Sequence, residues 1–588
     1  VRGTDLRLDA VLLESNYARE DSLLIAARVT CSGTEAVAAA DVGFYDGHPD
    51  SGGLLLGLAA GGPWAPGETE SVSVPWGGAP GLTRLWCVVD PSDDLAEADE
   101  TNNSATTAVT LVVGVPFLWQ EVDGFCHYAG QGMLFNALGY SHTVAEMVET
   151  NLVPYSPIYF QGQFSGYPAI FGCQTASDMD WNGSVRNLAC TLEVSAGWTA
   201  YFEQLKGLVQ SGVPAETSVD PYYLPQPDYD PLREHGMHSG HAVVIVGYSD
   251  SSVVMNDPGV GLPFLDAEPL PNPQLRGKNV VVPVDVFRTA VEQSLGTSYL
   301  LLTYEPTGAP VTTEWLLLAS LDKGLRRLAG DVASYDQELV EYLQPALPVF
   351  GRQAVASLAQ DMNPVTFGAW YQYIFGYMGG NLAATLEFLE LSYTSFVGLT
   401  GVGLRAPADF YGTVSYPQAP SLCALAESLQ ARCDTSCALF GRMLDVIEAS
   451  GGGTSGIVLH LDSLHTTCME WLAYEDSVAA TVADLQAWLS EASSPPVPPA
   501  RELLVRLWPT PCDGPTSLSW NQPGDARVSA SLYDVGGRAV LTLFDGAAGA
   551  GTHVVRWHPR ETVSPGVYVL RLRCDPGPEV YERVVVAR

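Results

Sequence analysis

Short apolar runs fill the first part of the chain. LRLDAVLL, LLIAARV, SVSVPW, LWCVVD and TAVTLVV are short strand-like runs, some alternating and some almost wholly apolar, and clusters of Gly, Pro, Asp and Asn separate them. Successive side chains of a strand point to opposite faces, so this pattern predicts an antiparallel β-sandwich over residues 1–113. Residues 114–306 mix helix-period and strand-period runs and predict an α+β domain. From Thr312 to Leu489 the apolar residues recur at spacings of three and four, as in WLLLASLDKGLRRLAGDV and DLQAWLSEA, which predicts a helical domain over 307–492. SSPPVPP, Ser493 to Pro499, predicts a stiff extended linker within 493–502. Beyond it VSASLYDV, AVLTLF, HVVRWHP, GVYVLRLRC and RVVVAR return to alternation and predict a second β-sandwich over 503–588. The expected fold class is multidomain: β-sandwich, α+β, helical, β-sandwich.

Composition narrows the possible partners. At 588 residues the chain exceeds what one hydrophobic core serves. Lys plus Arg number 28 against 66 Asp plus Glu, a formal net charge of -38, and such a surface repels a phosphate backbone, so nucleic acid is not an expected partner. The only lysines are Lys206, Lys278 and Lys323, which leaves no polybasic segment for an anionic membrane, and no apolar run reaches the length of a spanning helix. The eleven cysteines divide as Cys31 and Cys87; Cys126, Cys173 and Cys190; Cys423, Cys433, Cys437 and Cys468; Cys512 and Cys574. Every segment but one holds an even number, the pattern of an exported protein whose disulfides close within each domain. On this reading the protein is extracellular or at the cell surface, Cys31 and Cys87 staple the two sheets of the first sandwich, and the four helical-domain cysteines pair.

The odd segment contains WQEVDGFCHYAGQGMLFNALG, from Trp119 to Gly139. Phe125, Ala129, Leu134, Ala137 and Leu138 follow helical spacing after Asp123 and Gly124, which places Cys126 in the first turn of a helix. The unpaired N–H groups and the positive dipole end found there stabilise a thiolate, and the same groups can hold an oxyanion. Gln120 stands just upstream as a second oxyanion donor. A thiol nucleophile also needs a base. In GMHSGHAVVIVGYSDSSVVMNDPG, His241 opens an apolar strand, Ser249 to Ser252 form a turn, and the returning strand brings Asp257 or Asn256 back beside His241. Asp257 is preferred, because a carboxylate also stabilises the imidazolium.

Three resemblances follow from these residues. VGFYDGHPDSGG and VVDPSDDLAEADETNNSATTAV resemble the CARDB family of immunoglobulin-like, adhesion-related domains, which implies a spacer or binding module. Gln120 and Cys126 at the head of a helix, followed by GHAVVIVGY and NDPG, resemble the papain-like cysteine peptidases, in particular bacteriocin-processing double-glycine peptidases. That resemblance implies a papain-like α+β fold with Cys126 as nucleophile, His241 as base, Asp257 as third member and Gln120 as oxyanion donor, and no cofactor. The family commonly has a small residue directly after the cysteine, whereas Cys126 is followed by His127 and Tyr128, which is closer to the cysteine-dependent acyltransferases of the butirosin-biosynthesis type. The substrate expected is therefore a peptide or acyl group. SLYDVGGRAVLTLFDG, GTHVVRWHP and SPGVYVLRL resemble hook-capping-type immunoglobulin-like domains and the C-terminal sorting domains of type IX secretion, which implies an anchor or address.

Other uses of the same residues compete with these. Cys126 has Cys173 and Cys190 as alternative disulfide partners. His235, His238 and His241 recur every three residues, but with glycines and a serine among them they read as a loop, and no metal is expected. Cys433 and Cys437, four apart on one helical face, are likewise expected to pair as disulfides. Asp-Pro-Gly at 257–259 is also a good turn without any chemistry, and His127 is adjacent to Cys126 and so faces away from it. FGAWYQYIFGYMGG, Phe367 to Gly380, reads as core or interface. The rival class is a structural or adhesive surface protein that associates through its sandwiches, with a degenerate papain-like scaffold.

Overall fold

A computed structural model describes residues 3–17, 23–121, 124–160, 167–170, 175–262, 276–294, 298–393, 397 and 419–492. In the C-terminal part it describes 504–508, 516–522, 526–534, 538–549, 551–557, 562–564, 566–575 and 579–586. The linker at 493–502 lies outside these residues. Residues 1–486 form one compact unit and 487–588 a second.

The chain opens with seven strands: β1 (Leu6–Ser15), β2 (Leu23–Cys31), β3 (Ala40–Asp46), β4 (Leu54–Gly61), β5 (Thr69–Trp76), β6 (Gly81–Val89) and β7 (Ser104–Leu111). β1, β2 and β5 make one sheet, and β4, β3, β6 and β7 lie side by side in the other. The alternation in the sequence becomes alternation in burial. Leu6, Leu8, Val11, Ile25, Val29, Val42, Phe44 and Trp64 fill the space between the sheets.

Next come α1 (Cys126–Ala137), α2 (Val144–Thr150), β8 (Pro157–Phe160), β9 (Tyr167–Ile170), α3 (Ala176–Ser184), β10 (Leu188–Val194), α4 (Trp198–Gln210) and β11 (Ala215–Val219). They are followed by α5 (Asp230–His235), β12 (His241–Ser249), β13 (Ser252–Asn256), β14 (Val280–Pro283), α6 (Val284–Glu292) and β15 (Leu300–Pro306). The sheet of this segment does not stand apart from the sandwich. Its strands run β10, β15, β11, β12 and then directly to β7, β6, β3 and β4, with β13 and β14 branching from β12, for ten strands in all. The reason is local. β11 covers one edge of β12 only from His241 to Ile245, and β7 takes up the remainder, pairing Leu111 with Gly247, Thr110 with Tyr248 and Val109 with Ser249. Strands from either side of the expected division near residue 113 are thus joined by one hydrogen-bonded ladder, an arrangement that alternation alone does not reveal, because it does not say which edges meet.

Helices α7 (Thr313–Leu328), α8 (Gln337–Leu343), α9 (Arg352–Asp361), α10 (Phe367–Tyr377), α11 (Leu382–Tyr393), α12 (Ala419–Ala449) and α13 (Val458–Ala492) build the helical segment, with the short strand β16 (Pro348–Phe350) between α8 and α9. β16 pairs with β8, and Arg327 and Lys323 of α7 both reach Asp178 of α3, at 2.6 and 2.7 Å. The helices are thereby tied to the α+β segment. In α10, Phe367, Trp370, Tyr371 and Ile374 are buried, while Tyr373 and Tyr377 stay exposed. The C-terminal unit has β17 (Leu504–Trp508), β18 (Thr516–Gln522) and β21 (Gly551–Trp557) in one sheet. β20 (Ala539–Ala548), β19 (Ala526–Asp534), β22 (Gly566–Asp575) and β23 (Glu579–Val586) form the other, around Leu518, Trp520, Val528 and Leu570. No helix among the described residues is long and apolar enough to cross a membrane.

The disulfide reading needs correction. Cys31 and Cys87 are both buried thiols rather than a staple, and the Cys31 Sγ–H donates to the Glu35 carbonyl at 3.3 Å. Cys433, Cys437 and Cys468 are free as well, and burial pushes the thiols of Cys437 and Cys468 up to about 12. Cysteine serves here as a small apolar side chain facing a core, a use that counting parity cannot distinguish from pairing. Cys173 and Cys512 lie outside the described residues.

The β7–β12 junction can be tested at Gly247. A Cβ there would overlap the Leu111 side chain and lie 2.9 Å from the Thr110 carbonyl oxygen. Gly247→Val is expected to destabilise the first unit by about 1–3 kcal/mol in denaturant unfolding, the usual range for overpacking. An unchanged midpoint would mean that the two sheets are not joined there.

Candidate active site

Cys126 is the first residue of α1, and the Phe125 carbonyl accepts the Ala129 N–H of the first turn. Asp123 lies outside the described residues. The helix packs on β12, whose first residue is His241. Cys126 is half-buried, carries no disulfide, and shares a hydrogen bond with His241. His241 is buried, with its Nε2 2.7 Å from Asp257 Oδ1, so Nδ1 is the ring nitrogen left for the sulfur. The fully buried Asp257 follows β13 immediately, and the antiparallel return of β13 along β12 carries it back to His241. Asn256 is directed elsewhere, and its Oδ1 accepts the Asn279 N–H at 3.0 Å. The Asp-Pro-Gly turn also has a steric function. A Cβ on Gly259 would stand 2.8 Å from His241 Cε1 and 2.9 Å from the Tyr229 hydroxyl, so only glycine lets this backbone pass, and its N–H donates to Asp257 Oδ1 at 3.0 Å.

Gln120 is buried beside the same turn, its backbone N–H donating to the Pro258 carbonyl at 3.1 Å, and the indole N–H of Trp119 donates to the Val260 carbonyl at 3.1 Å. The structure thus brings Cys126, His241, Asp257 and the Gln120 segment together from three separate stretches of sequence. His127 points into the interior behind α1, where its Nδ1 is 2.6 Å from Glu216 Oε1. The other histidines of the glycine-rich loop do not converge. His235 Nδ1 lies 2.9 Å from the Pro231 carbonyl, and His238 Nδ1 lies 2.7 Å from Asp220 Oδ2, with its ring against Tyr222.

Two groups here had no signal in the sequence. Tyr229, fully buried, donates its hydroxyl to Asp257, 2.8 Å from Oδ1 and 2.9 Å from Oδ2, and stands 3.3 Å from His241 Nε2. Asp228, its neighbour, receives the Arg276 guanidinium from a position 48 residues away in the chain, at 3.0 and 2.8 Å. Neither belongs to a local motif; both follow from where the loops meet.

The electrostatics favour a charged pair. Burial works against a Cys126 thiolate, but the hydrogen bond and charge of His241, the Ala242 N–H and the charge of His127 outweigh it and hold the thiol below its ordinary pKa. Burial likewise disfavours the His241 imidazolium, but the Asp257 charge and hydrogen bond, with Cys126 in support, raise it to about 10. Both shifts run in the direction that favours a thiolate–imidazolium pair beside Asp257. Tyr229 stays a neutral donor, since burial and the Asp257 charge push its hydroxyl well above the usual range.

Residues 112–261 match the Peptidase_C39 like family, and residues 3–107 match CARDB. The chain thus carries a peptidase-C39-like domain, containing Cys126, His241 and Asp257, behind a CARDB domain. Among solved structures, it is similar to a CARDB domain from Pyrococcus furiosus in complex with di-metal ions, at 21% identity and a TM-score of 0.15, over 18% of this chain and 84% of that one. It is also similar to a Pseudomonas fluorescens alkylpurine DNA glycosylase bound to DNA containing an abasic site analogue, at 13% identity and a TM-score of 0.11, over 48% of this chain and all of that one. No curated protein matches the chain.

Selective alkylation follows from these environments. At pH 6 an ordinary thiol is only about 0.3% thiolate, so iodoacetamide should label Cys126 ahead of every other described cysteine and leave Cys31, Cys87, Cys433 and Cys468 unmodified in the native protein. Peptide mass spectrometry without reduction reads this directly. Equal labelling of Cys126 and Cys437 would contradict it.

Proposed function

We propose that the protein is an exported or surface-associated thiol enzyme of the papain-like class, acting on an amide or thioester bond of a peptide or acyl substrate. The observation that carries this reading is the Cys126–His241–Asp257 row, with the sulfur at a helix N-terminus, His241 on its hydrogen bond and Asp257 2.7 Å behind the ring. The Cys126 thiolate attacks the carbonyl carbon, and the carbonyl π electrons move to oxygen. The backbone N–H groups of the first turn of α1 and the Gln120 side chain are assigned the role of holding that oxyanion. As the tetrahedral species collapses, the bond to the amine or thiol breaks and the leaving group takes the proton from His241, which leaves an acyl group on the sulfur as a thioester. His241, now neutral, accepts a proton from water or from an acceptor amine or thiol as that group attacks the thioester. The product is a free acid in the first case and a transferred acyl group in the second, and the thiolate–imidazolium pair is restored. Asp257 fixes the ring and stabilises its charge throughout.

The CARDB domain and the C-terminal two-sheet unit serve as attachment or association modules.

A panel of peptidyl thioesters and peptides bearing a reporter group tests the reading. An acyl adduct on Cys126, trapped by acid quench and located by mass spectrometry, is the expected result. Cys126→Ser should abolish turnover, and Asp257→Asn should lower kcat by about 100-fold or more, the scale on which loss of an orienting acid acts. Turnover that survives Cys126→Ala would contradict the mechanism.

A further inference from the structure

The catalytic acid is held by a chain of contacts that ends in the other domain. Tyr229, which donates to both Asp257 oxygens, belongs to the single turn Pro227–Tyr229, and the residue before it, Asp228, is the anchor of that turn. The Asp228 carboxylate is buried, and its Oδ1 accepts the Gly261 N–H and the Arg276 Nε–H, both at 3.0 Å, while Oδ2 accepts from Arg276 Nη2 at 2.8 Å. The open face of that guanidinium is covered from the sandwich. Tyr17, just beyond β1, places its ring centroid 4.5 Å from Arg276 Cζ, and burial raises its hydroxyl against the opposing Ser15 hydrogen bond and Arg276 charge, with smaller contributions from the Asp228 and Asp257 charges. β1 itself is docked on the hairpin that carries Asp257. Ser15 Oγ accepts the Val281 N–H of β14 at 2.8 Å, β14 pairs with β13, and β13 ends one residue before Asp257.

We propose that Tyr17 and Arg276 are positioning residues for the catalytic acid, and that the CARDB domain is therefore a working part of the active site rather than a spacer. The proposal rests on the thiol reading of Cys126 given above. A guanidinium fork fixes a carboxylate in two dimensions, and an aromatic face over the same guanidinium removes it from water and strengthens the attraction. Without the fork, the buried Asp228 is an uncompensated charge, which rotates toward solvent and takes the adjacent Tyr229 with it. Asp257 then loses its hydroxyl donor and its fixed angle to His241. The imidazolium is held less well, and the Cys126 thiol rises toward its ordinary value. Neither Tyr17 nor Arg276 touches the reacting atoms, so their effect passes entirely through Asp257.

The test uses the full chain and iodoacetamide as probe, reading the pH at which alkylation of Cys126 is half-maximal, with the thermal midpoint measured in parallel. Arg276→Gln is expected to move the half-maximum up by about one unit, which is about tenfold slower alkylation on the acid side. Tyr17→Leu should shift it in the same direction by less, and Tyr17→Phe, which keeps the ring, should match the wild type. Tyr17 is half-buried in a turn outside β1, so its variants remain decisive if Arg276→Gln does not fold. Folded Arg276→Gln and Tyr17→Leu proteins that lose thermal stability but keep the wild-type profile would overturn the proposal and leave only a structural clamp. Asp257→Asn separates this failure from the deeper one: if its profile equals the wild type's, the thiol reading itself falls, and the positioning role falls with it.

Discussion

The hydrogen bond between His241 and the buried carboxylate of Asp257 is the constraint on which the functional account depends. A half-buried thiol in an apolar setting stays protonated and inert, and a buried histidine loses its proton. Both tendencies reverse only if a full negative charge lies within hydrogen-bonding distance of the ring, and at 2.7 Å it does. Keeping that carboxylate charged inside the protein is expensive, and one imidazole does not offset its desolvation. The fold supplies the remainder through the Tyr229 hydroxyl and the Gly259 N–H, so that Asp257 accepts from three directions.

Much of the surrounding architecture can be understood as support for that one contact. β12 carries His241 at its start, its hairpin return carries Asp257, and α1 lies across the same strand with Cys126 at its head. The hairpin is in turn fastened on both sides. β11 and β7 share one edge of β12, and β14 closes the outer side of β13, where Ser15 of the sandwich meets it. The ten-stranded sheet thus makes the CARDB strands and the catalytic strands one mechanical body, whereas alternation in the sequence suggests beads on a string.

What the sequence disclosed and what it withheld divide along sequence separation. Cys126, His241 and Asp257 were legible because each sits in a local pattern with a physical meaning: a cysteine at a helix start, a histidine heading an apolar strand, an acid one hairpin later. The choice between Asn256 and Asp257 turned on one residue of register, and the bulge between Ile245 and Gly247 is the kind of feature that sequence does not announce. Tyr229, Arg276 and Tyr17 come from loops whose meeting depends on the whole fold. The even cysteine counts misled at Cys31 and Cys87, because a residue that is small and apolar fits an inward-facing strand position as readily as it fits a disulfide.

The thiolate itself is the most direct observable. Titrating the ultraviolet thiolate absorbance of the native protein against that of Cys126→Ala isolates one sulfur. A lowered thiol predicts an inflection below the ordinary value of about 8.5, with the band still present as pH rises to the region where His241 gives up its proton, near 10. A difference signal that first appears at or above about pH 8.5 would show that no ion pair exists at neutral pH, and the mechanism built on it would have to be abandoned.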